Sequence, residues 1–532
     1  MCGFAVAHRT LERNPKANIL MIERGTFFLP EHFQNLPSAT ATTLGGLSET
    51  FPWTLDARTA SGKDGTATWM HGQLPFFGGR STTWSAWCPR PTEKELDGWP
   101  RSVVDKLYAN DGSLFKSAET LLNVQAADKI DGGRCKEVID AIARPVYKAL
   151  QKSVQDRLKK ALCSGDLKEA GIYRVDPAPI ASKSDIGTDF QKFSTTGPLL
   201  DLLLKYDNLH IATNCIVSKI LRQGTTATAL DTSRGIFPIG NAKLVLAMAT
   251  LPPVTLISNS FPELPNIGKR FSAHCISSIV ARVPKAILDS YPTSNTNPQF
   301  GSLEVGAMYI AGVADGNFKN QFHIQLSALY DEYPDGNFAR AMRYMPDVVA
   351  TATPEQLKSS KGHVIFVCAA LGELDSRNKS NQFLKNDNDA DVTTNSILRV
   401  VSNGKEDVKT WTAMDESVFV TLEQITGTAN KHQLEYWQEG KGWTHDRPNL
   451  EMRRVDGLVH ESSTLHFGEE SSSDAAVNAK DYSLRDIDNI YVTGAGLWPQ
   501  GASWNPTMTM VALSMDLADQ LTPLCHVAPG GT

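Results

Sequence analysis

The C-terminal part of the chain constrains the fold most, because a short apolar strand there is followed by glycines, a turn and a long apolar helix. Residues 489–499 read Asn-Ile-Tyr-Val-Thr-Gly-Ala-Gly-Leu-Trp-Pro, and the pair Asn505-Pro506 precedes an apolar helix that runs to Leu521. Glycine at the end of a buried strand lets the backbone approach a flat ligand, and a helix N-terminus stabilises negative charge. This order of elements predicts a ligand site between the strand and the helix.

The N-terminal segment has the pattern of the second half of a dinucleotide-binding βαβ unit. A helix is predicted from Gly3, residues 14–18 form a turn, and the apolar strand Ile19–Ile22 ends at Glu23. Glu23 follows Gly3 by 20 residues, about where an acid that binds a ribose hydroxyl belongs. The first strand and the first two glycines of the unit are missing, so we expect the natural chain to begin further upstream. An ordinary helix–strand pair is the alternative.

A loop-rich stretch between residues 69 and 90 contains two adjacent glycines followed by small hydroxyl residues. Gly78 and Gly79 precede the sequence Arg-Ser-Thr-Thr-Trp. Such a run can bring backbone N–H groups against a cofactor. A surface loop is the alternative, but the three tryptophans of this stretch, at positions 69, 84 and 87, favour a buried location.

The composition is that of a globular protein of two or three domains, with 532 residues, 41% of them hydrophobic and 21% charged. A net charge of −6 gives no reason to expect nucleic acid as a partner. Eight cysteines without a CxxC pair indicate free thiols of a reducing compartment and no metal site. The most apolar stretch, residues 243–257, is broken by Pro252-Pro253, and no signal peptide precedes it. We therefore expect a cytoplasmic protein without a membrane partner.

Periodicity divides the chain into three predicted regions. Residues 1–100, 190–275 and 455–525 form an α/β domain, in which strands at 19–22, 209–221 and 243–249 contribute to one parallel sheet. Residues 101–189 form a mostly helical insertion. Residues 276–454 form a separate domain with a mainly antiparallel sheet, because alternating strands such as 276–283, 322–326 and 363–367 recur between polar loops.

Four blocks together make the chain resemble the glucose–methanol–choline (GMC) flavoprotein oxidoreductases, and within them the pyranose 2-oxidase branch. The blocks are residues 3–25, residues 78–84, residues 209–221 with 243–258, and His466 with residues 489–521. Residues 280–450 do not align with the family by inspection. The resemblance implies an α/β, Rossmann-like FAD-binding domain, here apparently without its first strand, joined to an α+β substrate domain with a mainly antiparallel sheet.

The resemblance also assigns a pair of catalytic residues. His466, in the sequence Leu-His-Phe-Gly, would take the hydroxyl proton of an alcohol while a hydride moves to flavin N5, and Asn505 would be the second member of the pair. His460, six residues upstream of His466, is the rival for the role of base. For Asn505 the alternative is a helix N-cap. No role follows for His274.

The resemblance further implies a set of contacts to FAD. Glu23 would bind the adenosine ribose, within the unit that also contains Gly3 and Arg24. The remaining contacts would be backbone groups of Cys215 and Val217 at the adenine, Gly78, Gly79, Thr82, Thr83 and Ser85 along the isoalloxazine ring, and Gly494, Thr507 and Met508 at its ribityl end. Thr83 stands where pyranose oxidases have the histidine that bonds covalently to the flavin, so we expect non-covalent FAD.

The implied activity is the oxidation of an alcohol CH–OH group. A sugar or glycoside is the first candidate substrate, and dioxygen, which would yield hydrogen peroxide, or a quinone is the acceptor. A homo-oligomer is compatible with the sequence. Three alternatives stay open: an enzyme of this fold that oxidises a natural-product intermediate in a more apolar pocket, a lyase that keeps FAD as a scaffold, and a truncated protein without flavin.

Overall fold

The computed structural model of the protein describes residues 1–36, 54–55, 69–70, 74–130, 147–185, 188–289, 302–316, 318–334, 338–347 and 350–522. The helices are α1 Cys2–Arg13, α2 Arg101–Leu121, α3 Ala149–Ser164, α4 Asp166–Glu169, α5 Thr196–Lys205, α6 Pro252–Ser260, α7 Lys285–Asp289, α8 Phe338–Tyr344, α9 Pro354–Lys358, α10 Lys405–Thr426, α11 Leu450–Arg453 and α12 Thr507–Leu521. Within this part of the chain, no helix combines the length and apolar character that a membrane crossing requires.

The strands occur mostly in runs of two to five between these helices. They are β1 Ile19–Ile22, β2 Thr54–Leu55, β3 Trp69–Met70, β4 Val124–Ala126, β5 Ile172–Pro177, β6 Pro179–Asp185, β7 Thr188–Lys192, β8 Leu209–Ala212, β9 Val217–Gln223, β10 Thr226–Thr232, β11 Gly235–Pro238, β12 Leu244–Leu246, β13 Ser272–Pro284, β14 Leu303–Val313, β15 Gln321–Asp331, β16 His363–Glu373, β17 Gln382–Lys385, β18 Ser396–Arg399, β19 Glu435–Gln438, β20 Gly442–Thr444, β21 Arg454–Ser462, β22 Phe467–Gly468, β23 Val477–Asn478 and β24 Ile490–Val492.

The strands β1, β8, β12 and β24 form two separate parallel pairs. β1 pairs with β8, from Ile19 opposite Leu209, and β12 pairs with β24, from Leu244 opposite Ile490. The sequence-based expectation of one parallel sheet that joins β1 and β12 is therefore wrong for the described strands, none of which pairs with both. The helix α1 lies across the two pairs, since a Cβ on Gly3 would be 3.4 Å from both Met21 Cε and Ala247 Cβ.

A large sheet of mainly antiparallel strands confirms the prediction for the middle of the chain. Its strand order is β20-β19-β13-β16-β15-β14-β5, and β21 also pairs with β13. β13 and β16 are in register from His274 opposite Glu373 to Pro284 opposite His363. The long helix α10 covers one face, where a Cβ on Gly372 would lie 2.8 Å from Thr410 Cγ2. The opposite face of the sheet is not covered by α10 and borders the candidate active site.

The segment 101–189 is only partly helical. α2 and α3 agree with the prediction, although α2 is interrupted at residues 109–112, where Asn110, Asp111 and Gly112 adopt positive φ angles. The end of the segment forms strands instead, and β5 extends the large sheet by pairing with β14. Alternation is absent there because the two buried residues of β5, Ile172 and Val175, are three positions apart.

The C-terminal elements match their prediction. β24 is the short buried strand, and α12 begins at Thr507, directly after Pro506, and runs to Leu521. α12 packs against α1, where Arg9 forms an ion pair with Asp519 at 2.6 Å. The last helix therefore ties the N-terminal segment to the end of the chain and turns its N-terminus towards the interior.

Candidate active site

A single cavity of about 1160 Å³ runs between the parallel strands, the glycine loop and the free face of the large sheet. It begins at α1 and β1 and ends at the start of α12. Ligand pockets usually have volumes of about 300–1,000 Å³. The cavity is therefore large enough for an extended cofactor together with a small substrate.

The first end of the cavity is bordered by the residues predicted to hold adenosine: Gly3, Glu23, Arg24, Cys215 and Val217. Burial raises the pKa of Glu23, and its carboxylate accepts a hydrogen bond of 2.8 Å from the Gly25 N–H. The Cys215 N–H donates to the Glu23 carbonyl at 3.0 Å. This backbone N–H is thus already used within the protein, and the expected contact between the backbone of Cys215 and an adenine stays a prediction.

The glycine loop lies against the middle of the cavity. Gly78, Gly79 and Ser85 line it, whereas Thr82 and Thr83 do not. Gly78 has φ 90°, and a Cβ there would lie 2.4 Å from Thr196 Oγ1, so the turn requires glycine. The Thr82 hydroxyl instead donates to the Gly79 carbonyl at 2.9 Å. Of the predicted flavin contacts in this loop, the two threonines are therefore outside the cavity wall.

The start of α12 closes the far end. Asn505 and Thr507 line the cavity, but Gly494 and Met508 do not. Met508 is fully buried, and the backbone of Gly494, with φ 105°, lies near the backbone of Ala249. The first turn of α12 presents its N–H groups at this end, which favours negative charge nearby.

The histidine beside Asn505 is His460. Its Nε2 atom lies 3.4 Å from Asn505 Nδ2, and both residues line the cavity. His466 is not in the cavity wall. It is buried elsewhere, with Nε2 3.8 Å from Asp474 Oδ2 and neither ring nitrogen hydrogen-bonded. The structure therefore does not bring the predicted pair together, and the rival histidine occupies the position expected of His466.

A β-bulge explains how His460 reaches the cavity. The register of β13 and β21 shifts between Ser272 and His274, whose partners are Ser462 and Val459. His460 lies in this shift with φ 61°, a left-handed conformation that non-glycine residues seldom adopt. Bulges re-aim side chains next to active sites. The backbone at His460 is thus held in a strained conformation that points its imidazole at Asn505.

A directional chain of hydrogen bonds sets the tautomer of His460. His274 Nε2 is 2.7 Å from the Ala502 carbonyl oxygen, which can only accept, so Nε2 of His274 carries the proton. Burial lowers the pKa of His274 to about 4, and the ring is neutral at pH 7. Its Nδ1 is then an acceptor, and His460 Nδ1, 2.9 Å away, must be the donor. His460 therefore keeps a lone pair on Nε2, the atom that faces Asn505.

Gln325 sets the orientation of Asn505 from the other side. Its Nε2 donates to Asn505 Oδ1 at 3.0 Å and to His323 Nε2 at 3.2 Å. Asn505 therefore turns its Nδ2 group towards His460 Nε2, in agreement with the tautomer derived from Ala502. Burial lowers the pKa of His323 well below its usual value, so this ring is also neutral.

His274, Gln325 and His323 were not predicted as site residues. All three lie on strands whose alternating pattern was recognised, β13 and β15, but the pattern does not show which strands are neighbours. The signal present in the sequence was polar residues at inward positions of otherwise apolar strands. Such buried polar groups require partners: Gln325 bonds to His323 and Asn505, and His274 bonds to His460 and the Ala502 carbonyl.

An ion pair supports the wall next to His460. Arg80 Nη1 lies 3.0 Å from Glu461 Oε2, and the Glu461 side chain is only 1% exposed. Both residues line the cavity. Removal of one member of a buried pair leaves the other charge uncompensated, which costs about 3–5 kcal/mol.

We expect Arg80→Met to lower the free energy of unfolding by about 3 kcal/mol, because the Glu461 carboxylate would lose its partner. Urea denaturation measures this change. The double variant Arg80→Met/Glu461→Gln should recover most of it, since no charge stays buried. Arg101→Met, which breaks an exposed pair with Glu93, is the control and should leave the free energy of unfolding nearly unchanged. Equal effects of the two arginine variants would contradict a structural role for the Arg80 pair.

The described residues contain no group of three or more His, Cys, Asp or Glu side chains placed to hold a metal ion.

Comparisons with known proteins identify a family match and a shared fold. A family model described as GMC oxidoreductase, for its C-terminal domain, matches residues 379–514, a range that includes His460 and Asn505. No curated protein matches the chain by sequence. The solved structure of pyridoxine 4-oxidase from Mesorbium loti is similar, with a TM-score of 0.62 and 14% identity over 98% of this chain and 97% of that one.

A second solved structure is an FAD-dependent oxidoreductase from Chaetomium thermophilum in complex with a small fragment. It has a TM-score of 0.59 and 14% identity, again over 98% of this chain and 97% of the other. At this identity the two likenesses establish a shared fold. Residues 379–514 therefore match a GMC oxidoreductase C-terminal domain, within a chain that has the fold of these oxidoreductases.

Proposed function

We propose that the protein oxidises the CH–OH group of an alcohol and that FAD, held without a covalent bond, is its cofactor. The observation that carries this proposal is one continuous cavity that joins Gly3 and Glu23 at one end to His460 and Asn505 at the other. When bound, the flavin accepts the hydride released by the alcohol carbon.

The residues present fit FAD. Glu23 is a buried carboxylate suited to ribose hydroxyls, and Gly78 and Gly79 give the backbone close access to a flat ring. Pro506 and Thr507 bring the N-terminus of α12 to the cavity, which favours the negative charge of a reduced ring. Threonine at position 83 and its location outside the cavity wall support non-covalent binding, so acid precipitation should release the flavin.

His460 acts as the base in this proposal. Its Nε2 lone pair takes the hydroxyl proton, and the imidazolium that forms still donates from Nδ1 to His274. Asn505, fixed by Gln325, donates from Nδ2 to the substrate oxygen and keeps it against His460. Both groups are held before substrate arrives, so little reorganisation is needed. Dioxygen or a quinone then reoxidises the cofactor.

His274 is a positioning residue, and its replacement tests the tautomer. We expect His274→Phe to slow flavin reduction about 10- to 100-fold, on the scale found for groups that orient a reactive imidazole. His274→Gln should restore most of the rate, because an amide can donate to Ala502 and accept from His460. Stopped-flow reduction over a range of pH measures both variants. Equal rates for Phe and Gln would exclude control of the tautomer by His274.

The proposed function is tested by anaerobic addition of alcohols to the FAD-loaded protein. Loss of the flavin absorbance, one equivalent of aldehyde or ketone, and a slower reaction with α-deuterated alcohol are the expected results. Product without loss of absorbance would instead indicate a lyase. A protein that takes up no flavin after reconstitution would indicate a binding protein without this chemistry.

A further inference from the structure

We propose that the alcohol has an apolar, aliphatic or aromatic body, and that this body binds against an aliphatic wall formed by Ile276, Ala369, Leu371 and Val459. The inference rests on the proposed function and names its substrate class. The sugar expectation came from resemblance to pyranose oxidases, whereas the wall is a property of this chain.

The wall is one continuous patch on the free face of the large sheet. Ile276 of β13 stands opposite Leu371 of β16. Ala369 lies two residues before Leu371 on β16, so both side chains are on the same face of the sheet. Val459 of β21 stands opposite His274. These four side chains contact one another as an apolar cluster separate from the main core, with Ala350 and Val455 packed against them. All four line the cavity, so they face the space in which a ligand would bind.

The wall adjoins the reactive groups directly. Val459 immediately precedes His460, and Ala369 stands opposite Gln325, whose amide holds Asn505. An alcohol with its oxygen between His460 and Asn505 would therefore extend its carbon chain over these aliphatic side chains. Burial of apolar surface contributes about 0.8 kcal/mol for each CH₂ group.

The polar groups around this wall already have partners within the protein. Gln325 Nε2 donates to Asn505 and His323, and Asp347 Oδ1 accepts from the Ser85 hydroxyl at 2.7 Å and the Ala350 N–H at 3.1 Å. A sugar would bring several further hydroxyl groups against aliphatic carbon. A buried hydroxyl without a hydrogen bond costs about 1–3 kcal/mol. The described part of the wall thus favours an apolar body over a polyol.

The test measures anaerobic flavin reduction by a panel of probes: the primary alcohols from methanol to 1-hexanol, benzyl alcohol, D-glucose and methyl glucoside. We expect the Kd for the straight-chain alcohols to fall about fourfold with each CH₂ group, the factor that corresponds to 0.8 kcal/mol. Faster reduction by the sugars than by hexanol or benzyl alcohol would overturn the inference and leave the proposed function standing. Reduction by neither class in an FAD-loaded protein would overturn both.

A matched pair of variants tests the wall itself. The variants are Ile276→Val and Ile276→Thr. Valine and threonine have the same shape, but threonine has a hydroxyl group where valine has a methyl group. We expect the Thr variant to bind hexanol about fivefold more weakly than the Val variant, and this difference to shrink as the carbon chain of the alcohol shortens. The Val variant controls for folding and lost volume. Identical Kd series for Val and Thr would show that the body of the alcohol does not contact this wall.

Discussion

Replacement of His460 by Ala is expected to slow the reduction of bound flavin by an alcohol about 100-fold or more, the usual cost of losing a general base. The cavity would keep its shape, but no lone pair would face Asn505 to take the hydroxyl proton. Stopped-flow spectroscopy of the FAD-loaded variant under anaerobic conditions measures the rate. FAD affinity, measured in parallel, shows whether the variant still folds around its cofactor.

His466→Gln is the control for this prediction, because the resemblance-based interpretation gave the role of base to that residue. His466 lies outside the cavity wall, and its ring nitrogens form no hydrogen bond in the structure. We expect the Gln variant to reduce its flavin within about twofold of the unmodified protein. A large loss at position 466 together with a near-normal rate for His460→Ala would refute the placement of His460 as the base.

Glu373→Gln is expected to stabilise the protein at alkaline pH by about 5 kcal/mol, and the carboxyl group that it replaces holds the backbone of the active site. Glu373 Oε1 accepts from the Ala502 N–H at 2.9 Å, and the carbonyl of Ala502 accepts from His274. Burial raises the pKa of Glu373 from 4.5 to about 8. Glutamine keeps an acceptor oxygen for Ala502 but never becomes charged.

The direction with pH follows from proton linkage. Between about pH 4.5 and 8 the folded protein retains a proton on Glu373 that the unfolded chain releases, so this group contributes less stability as the pH rises. The advantage of the Gln variant should therefore be absent near pH 4.5. It should grow by about 1.4 kcal/mol per pH unit and level off above pH 8. Urea denaturation at several pH values measures the difference, and parallel stability curves for the two proteins would rule out a buried, protonated Glu373.

Much of the fold could be predicted from apolar spacing. The last strand and helix, β24 and α12, appear where glycines and Asn505-Pro506 mark their ends, and the strands β13, β15 and β16 appear where residues alternate. Strand partners were less predictable, because a buried strand such as β12 has the same composition whichever neighbour it pairs with. The pairing of β12 with β24, and not with β1, is an example.

Several of the cavity-lining residues were predicted from the sequence, but the histidine beside Asn505, His460, was not the one assigned the role of base. The cofactor residues Gly3, Glu23, Gly78 and Gly79 line the cavity because each follows a local rule of strand ends or turns. The choice between His460 and His466 depends on a bulge and on the positive φ angles of His460 and Ser463, which reverse the direction of the side chains. The short sequence between His460 and His466 does not by itself indicate that the side chains reverse direction.

The most direct test of the central claim is an experimental structure of the protein with FAD bound. The account predicts that the isoalloxazine ring lies in the cavity with His460 Nε2 and Asn505 Nδ2 facing its reactive edge, and with His460 Nδ1 within hydrogen-bond distance of His274 Nδ1. A flavin ring placed away from His460 and Asn505, or one that faces His466, would contradict it.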